Sequence, residues 1–148
     1  MTEDEHFMMV ALEEAKKGMG PKRFGAVVVC NGKVMAKACS TTYEDNDGTQ
    51  HAEIKAISKA CRALKSRHLP DCVLYSTAEP CMMCTGAALW EKIRRIVYGM
   101  SRKDALEFFE HSNHWSKSIS ELVPKDCEVV SGVLRGECIE ILKQTLKG

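Results

Sequence analysis

Two helical stretches, each entered from loop or extended chain and each followed by a short apolar strand, constrain this sequence more than any other feature. The first begins at His51 and keeps Ile54, Ile57, Ala60, Cys61 and Leu64 at the spacing of one buried face, until the basic residues 65–68 and Pro70 stop it. The second is CMMCTGAALWEKI, from Cys81, with Pro80 suited to its first turn. Residues 72–76 form an apolar strand between the two helices, and residues 93–98 form another after them. Strand–helix–strand passages cross over in one hand only, so two in succession predict a mostly parallel central sheet covered by helices.

The flanks extend this pattern. Residues 3–17 place Phe7, Val10, Leu12 and Ala15 at near-helical intervals among Glu and Lys, and Gly18-Met19-Gly20-Pro21 ends that helix. A β-branched run over 24–30, the turn pair Asn31-Gly32 and a second extended run over 33–39 read as a hairpin closed by a type I′ turn. Polar residues 40–50 then deliver the chain to His51 as a loop. Residues 101–123 combine Phe108, Phe109, His111, His114 and Trp115 with polar spacers, as a short helix plus a loop. Residues 127–130 add a last strand and residues 138–146 a closing helix. The 148 residues read as one domain.

Net charge of +1 and a pI near 7.6 give no broad basic field, which disfavours binding to an extended polyanion. No apolar run has the length of a membrane span, and the acidic start MTEDEHFMMV is unlike a secretory signal, so the expected setting is cytoplasmic, with no membrane partner. Thiols stay reduced there, and six of the eight cysteines, Cys30, Cys39, Cys61, Cys72, Cys127 and Cys138, read as small buried hydrophobes. Only Cys81 and Cys84 form a short-range pair.

That pair carries chemistry. A spacing of three puts both sulfurs on one face of a helical turn, and a helix N-terminus favours their thiolates. Zinc binds thiolate and imidazole, and three protein ligands leave its fourth tetrahedral position for a water that the metal activates near neutral pH. His51 opens the other helix and completes such a set. Glu53, two residues on, points away from the metal and falls beside that water, placed to take up a proton and deliver it to a leaving amine. A C-x-x-C pair alone also suits redox or structural zinc sites; His51-Ala52-Glu53, Pro80 and the order of elements select catalytic zinc. Met82, Met83 and Trp90 are expected in the core or a pocket wall.

H-x-E followed by P-C-x-x-C resembles the signature of zinc-dependent nucleobase and nucleoside deaminases. The resemblance covers most of the chain, since FGAVVV, the NG hairpin, HAEIKAI, LYSTAEPCMMCTGAALW and IRRIVYG follow that superfamily's order. It implies a three-layer α/β/α, cytidine-deaminase-like fold with a mixed central sheet of about five strands. It also implies zinc on His51, Cys81 and Cys84, Glu53 as proton shuttle, substrate contacts from the backbone around Ala52, and a homodimer. The rival of another class is a non-catalytic zinc-stabilised binding domain.

The zinc motif does not choose the ring that loses its amine. Guanine deaminases, cytosine deaminases and adenosine deaminases acting on transfer RNA all resemble this sequence, the last group also in EVVSGVLRGECIEIL. These groups usually carry an Asn eleven residues before the zinc-ligating His, where this chain has Ser40, a shorter group without an amide's paired geometry. Asn46 is a candidate to compensate, although loop Asn is commonly a turn former. SRKDALEFFEHSNHW looks like the guanine deaminase region in which an acid contacts the purine, which makes Glu110 a candidate; His114 and Trp115 are candidate lid residues and Phe24 a further contact. The low net charge weighs against RNA; Arg62, Lys65, Arg67, Lys92, Arg94 and Arg95 could supply a local patch, but such residues are more often solvated helix faces. The expected substrate is thus a free base or small amino-heterocycle, guanine-like ahead of cytosine. The alternative is deamination of the wobble adenosine of transfer RNA to inosine.

Overall fold

The computed structural model describes residues 1–108 and 117–146. Helix α1 (Glu3–Ala15) starts at a capping box in which Thr2 accepts from the Glu5 N–H while the Glu5 carboxylate accepts from the Thr2 N–H. It leads into β1 (Gly25–Cys30) and β2 (Lys33–Cys39). The turn between them holds Asn31 at φ 52° and Gly32 at φ 75°, the positive pair that a type I′ turn requires. Then come α2 (Ala52–Leu64), β3 (Cys72–Ala78), α3 (Met82–Trp90) and β4 (Arg95–Met100), followed by α4 (Arg102–Leu106), α5 (Ile119–Leu122), β5 (Glu128–Val130) and α6 (Arg135–Gln144).

The five strands lie in the order β2-β1-β3-β4-β5. Strand β1 runs antiparallel to both its neighbours, while β3, β4 and β5 are parallel. The sheet is therefore mixed, as the resemblance implied, rather than mostly parallel by pairing. Strands β2 and β3 do point the same way, but β1 lies between them and α2 crosses over it.

Alternation along the strands divides the core. Ala26, Val28, Leu74 and Ile96 face α2 and α3, together with Ala52, Ala56, Ile57, Ala60 and Ala88. Val27, Val29, Tyr75 and Val97 face α1 and α6, against Phe7, Met8, Leu12, Cys138 and Leu142. This is the expected three-layer α/β/α arrangement. Two glycines let helices approach the sheet closely: a Cβ on Gly25 would strike the Ala11 carbonyl of α1, and one on Gly99 the Cys138 sulfur of α6.

Several expectations are corrected. Helix α2 buries Ala52, Glu53, Ala56, Ile57 and Ala60, whereas Leu64 is exposed, because the alanines let α2 sit close on the sheet and turn its last residues outward. Trp90, expected in the core or a wall, is not in the core but 80% exposed at the end of α3, where it lines a surface groove, and Met82 is also exposed. Pro80 lies before the helix, with Cys81 as N-cap. Cys30 and Cys72 are joined in a disulfide, since the register of β1 against β3 sets them directly opposite each other. Of the other scattered cysteines, Cys127 and Cys138 are buried as expected, whereas Cys39 and Cys61 are only half-buried. Arg95 is no solvated cation: both its terminal nitrogens donate to Asp4, at 2.9 and 2.7 Å, and Nε pairs with Glu128 at 3.2 Å. Among the described residues no helix is long and apolar enough to cross a membrane.

Candidate active site

Two helix starts converge on one point. His51 is the N-cap of α2 and Cys81 the N-cap of α3, both in extended conformation; the His51 side chain does not cap α2, and the Cys81 sulfur meets Cys84 one turn into α3. One turn into α3, Cys84 is fully buried on the same side. The His51 Nδ1 atom lies 3.6 Å from Cys81 Sγ and 3.5 Å from Cys84 Sγ. Nitrogen and sulfur ligands sharing one tetrahedral zinc are separated by about 3.5 Å, given bond lengths of about 2.0–2.1 and 2.3 Å. The three donor atoms all lie within 4.8 Å of one another, so this set fits the metal without rearrangement.

The three donors perturb one another's proton affinities. The hydrogen bond from Cys84, with help from His51, holds the Cys81 thiol down at about 4, so Cys81 is a thiolate at neutral pH. Cys84 is pushed up, first by the same bond to Cys81 and then by burial. His51 is raised by its bond to Cys81, against the opposing effect of burial. Glu53, in the first turn of α2, is buried with 6% exposure. Burial pushes its carboxyl up to about 7, partly offset by the His51 charge, which suits a group that both takes up and gives back a proton.

The loop that presents His51 is tied internally. Asp47 accepts from the Thr49 N–H at 2.9 Å, the Thr49 hydroxyl at 2.7 Å and the Gln50 amide at 3.1 Å. Thr41 donates its hydroxyl to Asp45 at 2.6 Å and accepts from Lys55 Nζ of α2 at 2.7 Å. On the other side, the buried Thr85 hydroxyl donates to the Pro80 carbonyl at 3.2 Å and fixes the turn that carries Cys81. Glu79 has the widest reach: its carboxylate accepts from the N–H of Arg102 at the start of α4 and of Ile119 at the start of α5, each at 3.0 Å. None of these groups stood out in the sequence. The acid just before P-C-x-x-C was the one available signal, and its partners lie far along the chain.

The expected substrate contacts fare unevenly. Ala52, fully buried beside His51, opens α2. Phe24 and Ser40 bind each other, the Phe24 N–H donating to the Ser40 hydroxyl at 3.2 Å and the Ser40 N–H to the Phe24 carbonyl at 3.0 Å. The Ser40 hydroxyl is thus engaged as an acceptor by the main chain. Asn46 stands exposed at φ 50° in a turn, the conformational role, rather than among the buried groups around His51. Glu110, His114 and Trp115 lie outside the described residues.

Comparison with known proteins matches residues 1–100 to the cytidine and deoxycytidylate deaminase zinc-binding region. A tRNA-specific adenosine deaminase of Bacillus subtilis is 36% identical over 145 residues, covering 93% of this chain and 85% of that protein. Guanine deaminase of the same organism is 41% identical over 98 residues, covering 66% of this chain and 62% of that protein. The solved guanine deaminase of Nitrosomonas europaea superposes with a TM-score of 0.78 at 26% identity, covering 95% of this chain and 83% of that one. With the ligand set, the fold and these matches in agreement, the chain belongs to the cytidine and deoxycytidylate deaminase family and is a zinc-dependent deaminase, a hydrolase of amine-bearing C–N bonds.

Proposed function

We propose that this enzyme is a transfer RNA adenosine deaminase that converts the wobble adenosine to inosine, and not the guanine-like small-molecule deaminase first expected. The observation that carries this reading is the length over which identity persists. Similarity to the tRNA-specific enzyme holds at 36% across 93% of the chain, whereas the stronger match to guanine deaminase is confined to 66%. Where a guanine deaminase spans nearly the whole chain, identity is 26%.

In this reading His51, Cys81 and Cys84 hold zinc, which supplies activation of the attacking water. Glu53 would take one proton from the attacking water and pass it to the ring nitrogen, then take the second proton from the newly attached hydroxyl and deliver it to the departing amine, so its neutral-range carboxyl serves both transfers. Ala52 leaves room for the base at the helix start. The working unit is a homodimer.

The test is a substrate panel on the zinc-loaded protein: a wobble-adenosine anticodon stem-loop, a full transfer RNA, guanine, cytosine and adenine. Inosine in the RNA, with no ammonia from the free bases, is expected. Turnover of guanine with no inosine formed would reverse the assignment.

A further inference from the structure

A groove of about 510 Å³ lies far from the zinc ligands, between the ends of the two helices that carry them. Helix α2 begins at His51 and ends at the left-handed Lys65, 13 residues and about 20 Å later. Helix α3 begins at Cys81 and ends at Trp90. The groove is lined by Arg62, Lys65, Arg67 and His68 on one side and by Trp90 and Glu91 on the other. It has a fixed floor, because the Leu69 N–H donates to the Glu91 carbonyl at 2.6 Å and the Cys61 thiol donates to the Glu91 carboxylate at 3.0 Å. Its basic rim is ordered by Ser66, whose hydroxyl donates to the His68 carbonyl at 2.7 Å.

Arg62, Lys65 and Arg67 are exposed, and none forms an ion pair among the described residues. Lys92 and Arg94, also exposed, follow Glu91 in the chain. By contrast, Lys16, Lys17, Arg95 and Arg135 are each matched to an acid. A net charge of +1 is thus compatible with three exposed cations, without an ion pair among the described residues, on the rim of one groove. Among them stands Trp90, 80% exposed, which is costly in water and offers a flat face. His68 Nδ1 is buried there without a hydrogen-bond partner among the described residues. Cations that neutralise phosphates beside an aromatic surface that stacks a base make up the usual construction of a nucleic-acid-binding groove.

The geometry points to this groove as a second contact for RNA, in which Arg62, Lys65 and Arg67 bind phosphates and Trp90 stacks on an unpaired base, at the far ends of the helices that present the zinc. The inference rests on the transfer RNA reading given above. It explains how a chain of low net charge holds a polyanion: the contact is local, and few phosphates are neutralised.

The test is fluorescence anisotropy of a labelled full-length transfer RNA transcript titrated with the zinc-loaded protein over a range of salt. Arg62→Ala with Arg67→Ala is expected to weaken binding about tenfold or more near 0.1 M salt and to reduce the slope of log K against log salt by about 2. Trp90→Ala is expected to weaken binding at least about fivefold with the slope unchanged. These side chains are exposed, so zinc content and thermal midpoint should stay at wild-type values. Unchanged affinity and slope in both variants would overturn the groove as an RNA site. So would competition by polyglutamate equal to that of RNA, or a change of oligomeric state in Trp90→Ala with RNA affinity retained, which would make the groove a contact between copies. Inosine formation is read separately. RNA binding that depends on the groove without inosine would refute the wobble-adenosine reading alone, and inosine formation indifferent to the groove variants would refute the groove alone.

Discussion

Removing the Glu79 carboxylate tests how the site is held together. In Glu79→Ala two N–H groups lose their acceptor at once, those of Arg102 and Ile119, each the first residue of a helix and so without an intrahelical partner. A hydrogen bond to a charged acceptor contributes about 1.5–3 kcal/mol. Glu79 is half-buried, and water replaces part of what is lost, so the sum falls to roughly 2–4 kcal/mol of folding stability. Glu79→Gln keeps one accepting oxygen and presents an NH₂ to the other N–H, so it should recover about half or less. Urea unfolding of the zinc-loaded protein, extrapolated to water, gives the energies. Because Glu79 stands two residues before Cys81, kcat/KM for deamination should fall about tenfold or more in the alanine variant with zinc still bound. A loss under about 0.5 kcal/mol, or alanine and glutamine variants of equal stability, would refute the bridging role.

The remaining predictions concern the metal set, the proton shuttle, the acid limit and the packing of α1. Cys84→Ala should lose zinc and deamination together, read by metal analysis alongside ammonia release; retention of both would contradict the ligand assignment. Glu53→Gln should keep zinc and lose about 10²–10⁴ in kcat, since it stays buried with no proton to exchange. Hydrogen bonds from Arg95 hold Asp4 below its ordinary carboxylate range, so the ionised form favours the folded state. Its contribution is fully present above the unfolded value of about 3.9 and is lost as pH falls through the lower folded value. The stability gap between wild type and Asp4→Asn should therefore be constant from pH 7 to about 5 and close below about 4, followed by urea midpoints. Gly25→Ala should destabilise by about 3 kcal/mol or more, seen as a drop in Tm, because its Cβ meets the backbone of α1 and not a movable side chain.

What could be read from the sequence was local. Asn31-Gly32 specified its turn from two residues, and β2 occupies Lys33–Cys39 as the periodicity indicated. His51 and Cys81 each announced a helix start, and both are N-caps. The interval 101–123 does contain a short helix at Arg102–Leu106, opened by a capping box at Ser101, and a second at Ile119–Leu122. What stayed hidden depended on pairing between distant segments. Insertion of β1 between β2 and β3, the opposition of Cys30 and Cys72, and the reach of Glu79 to Arg102 and Ile119 follow from strand order, which no local pattern encodes. The start of α6 at Arg135 was missed for a different reason: its N-cap is Leu134 at φ 52°, a residue type that carries no capping signal.

The transfer RNA reading turns on a property that summed composition does not carry. Total charge counts a guanidinium clasped by Asp4 and one that faces water as equal, although only the second can meet a phosphate. The structure separates them by position. Paired cations fasten α1, β4 and α6, whereas Arg62, Lys65 and Arg67, exposed and without an ion pair among the described residues, stand where α2 and α3 end. The N-termini of those same helices bring His51 and Cys81 together. Placing the chemistry at one end of two helices leaves their other ends free to engage a substrate larger than the ring that reacts. In the transfer RNA reading a folded RNA would use that surface, and a free base would not.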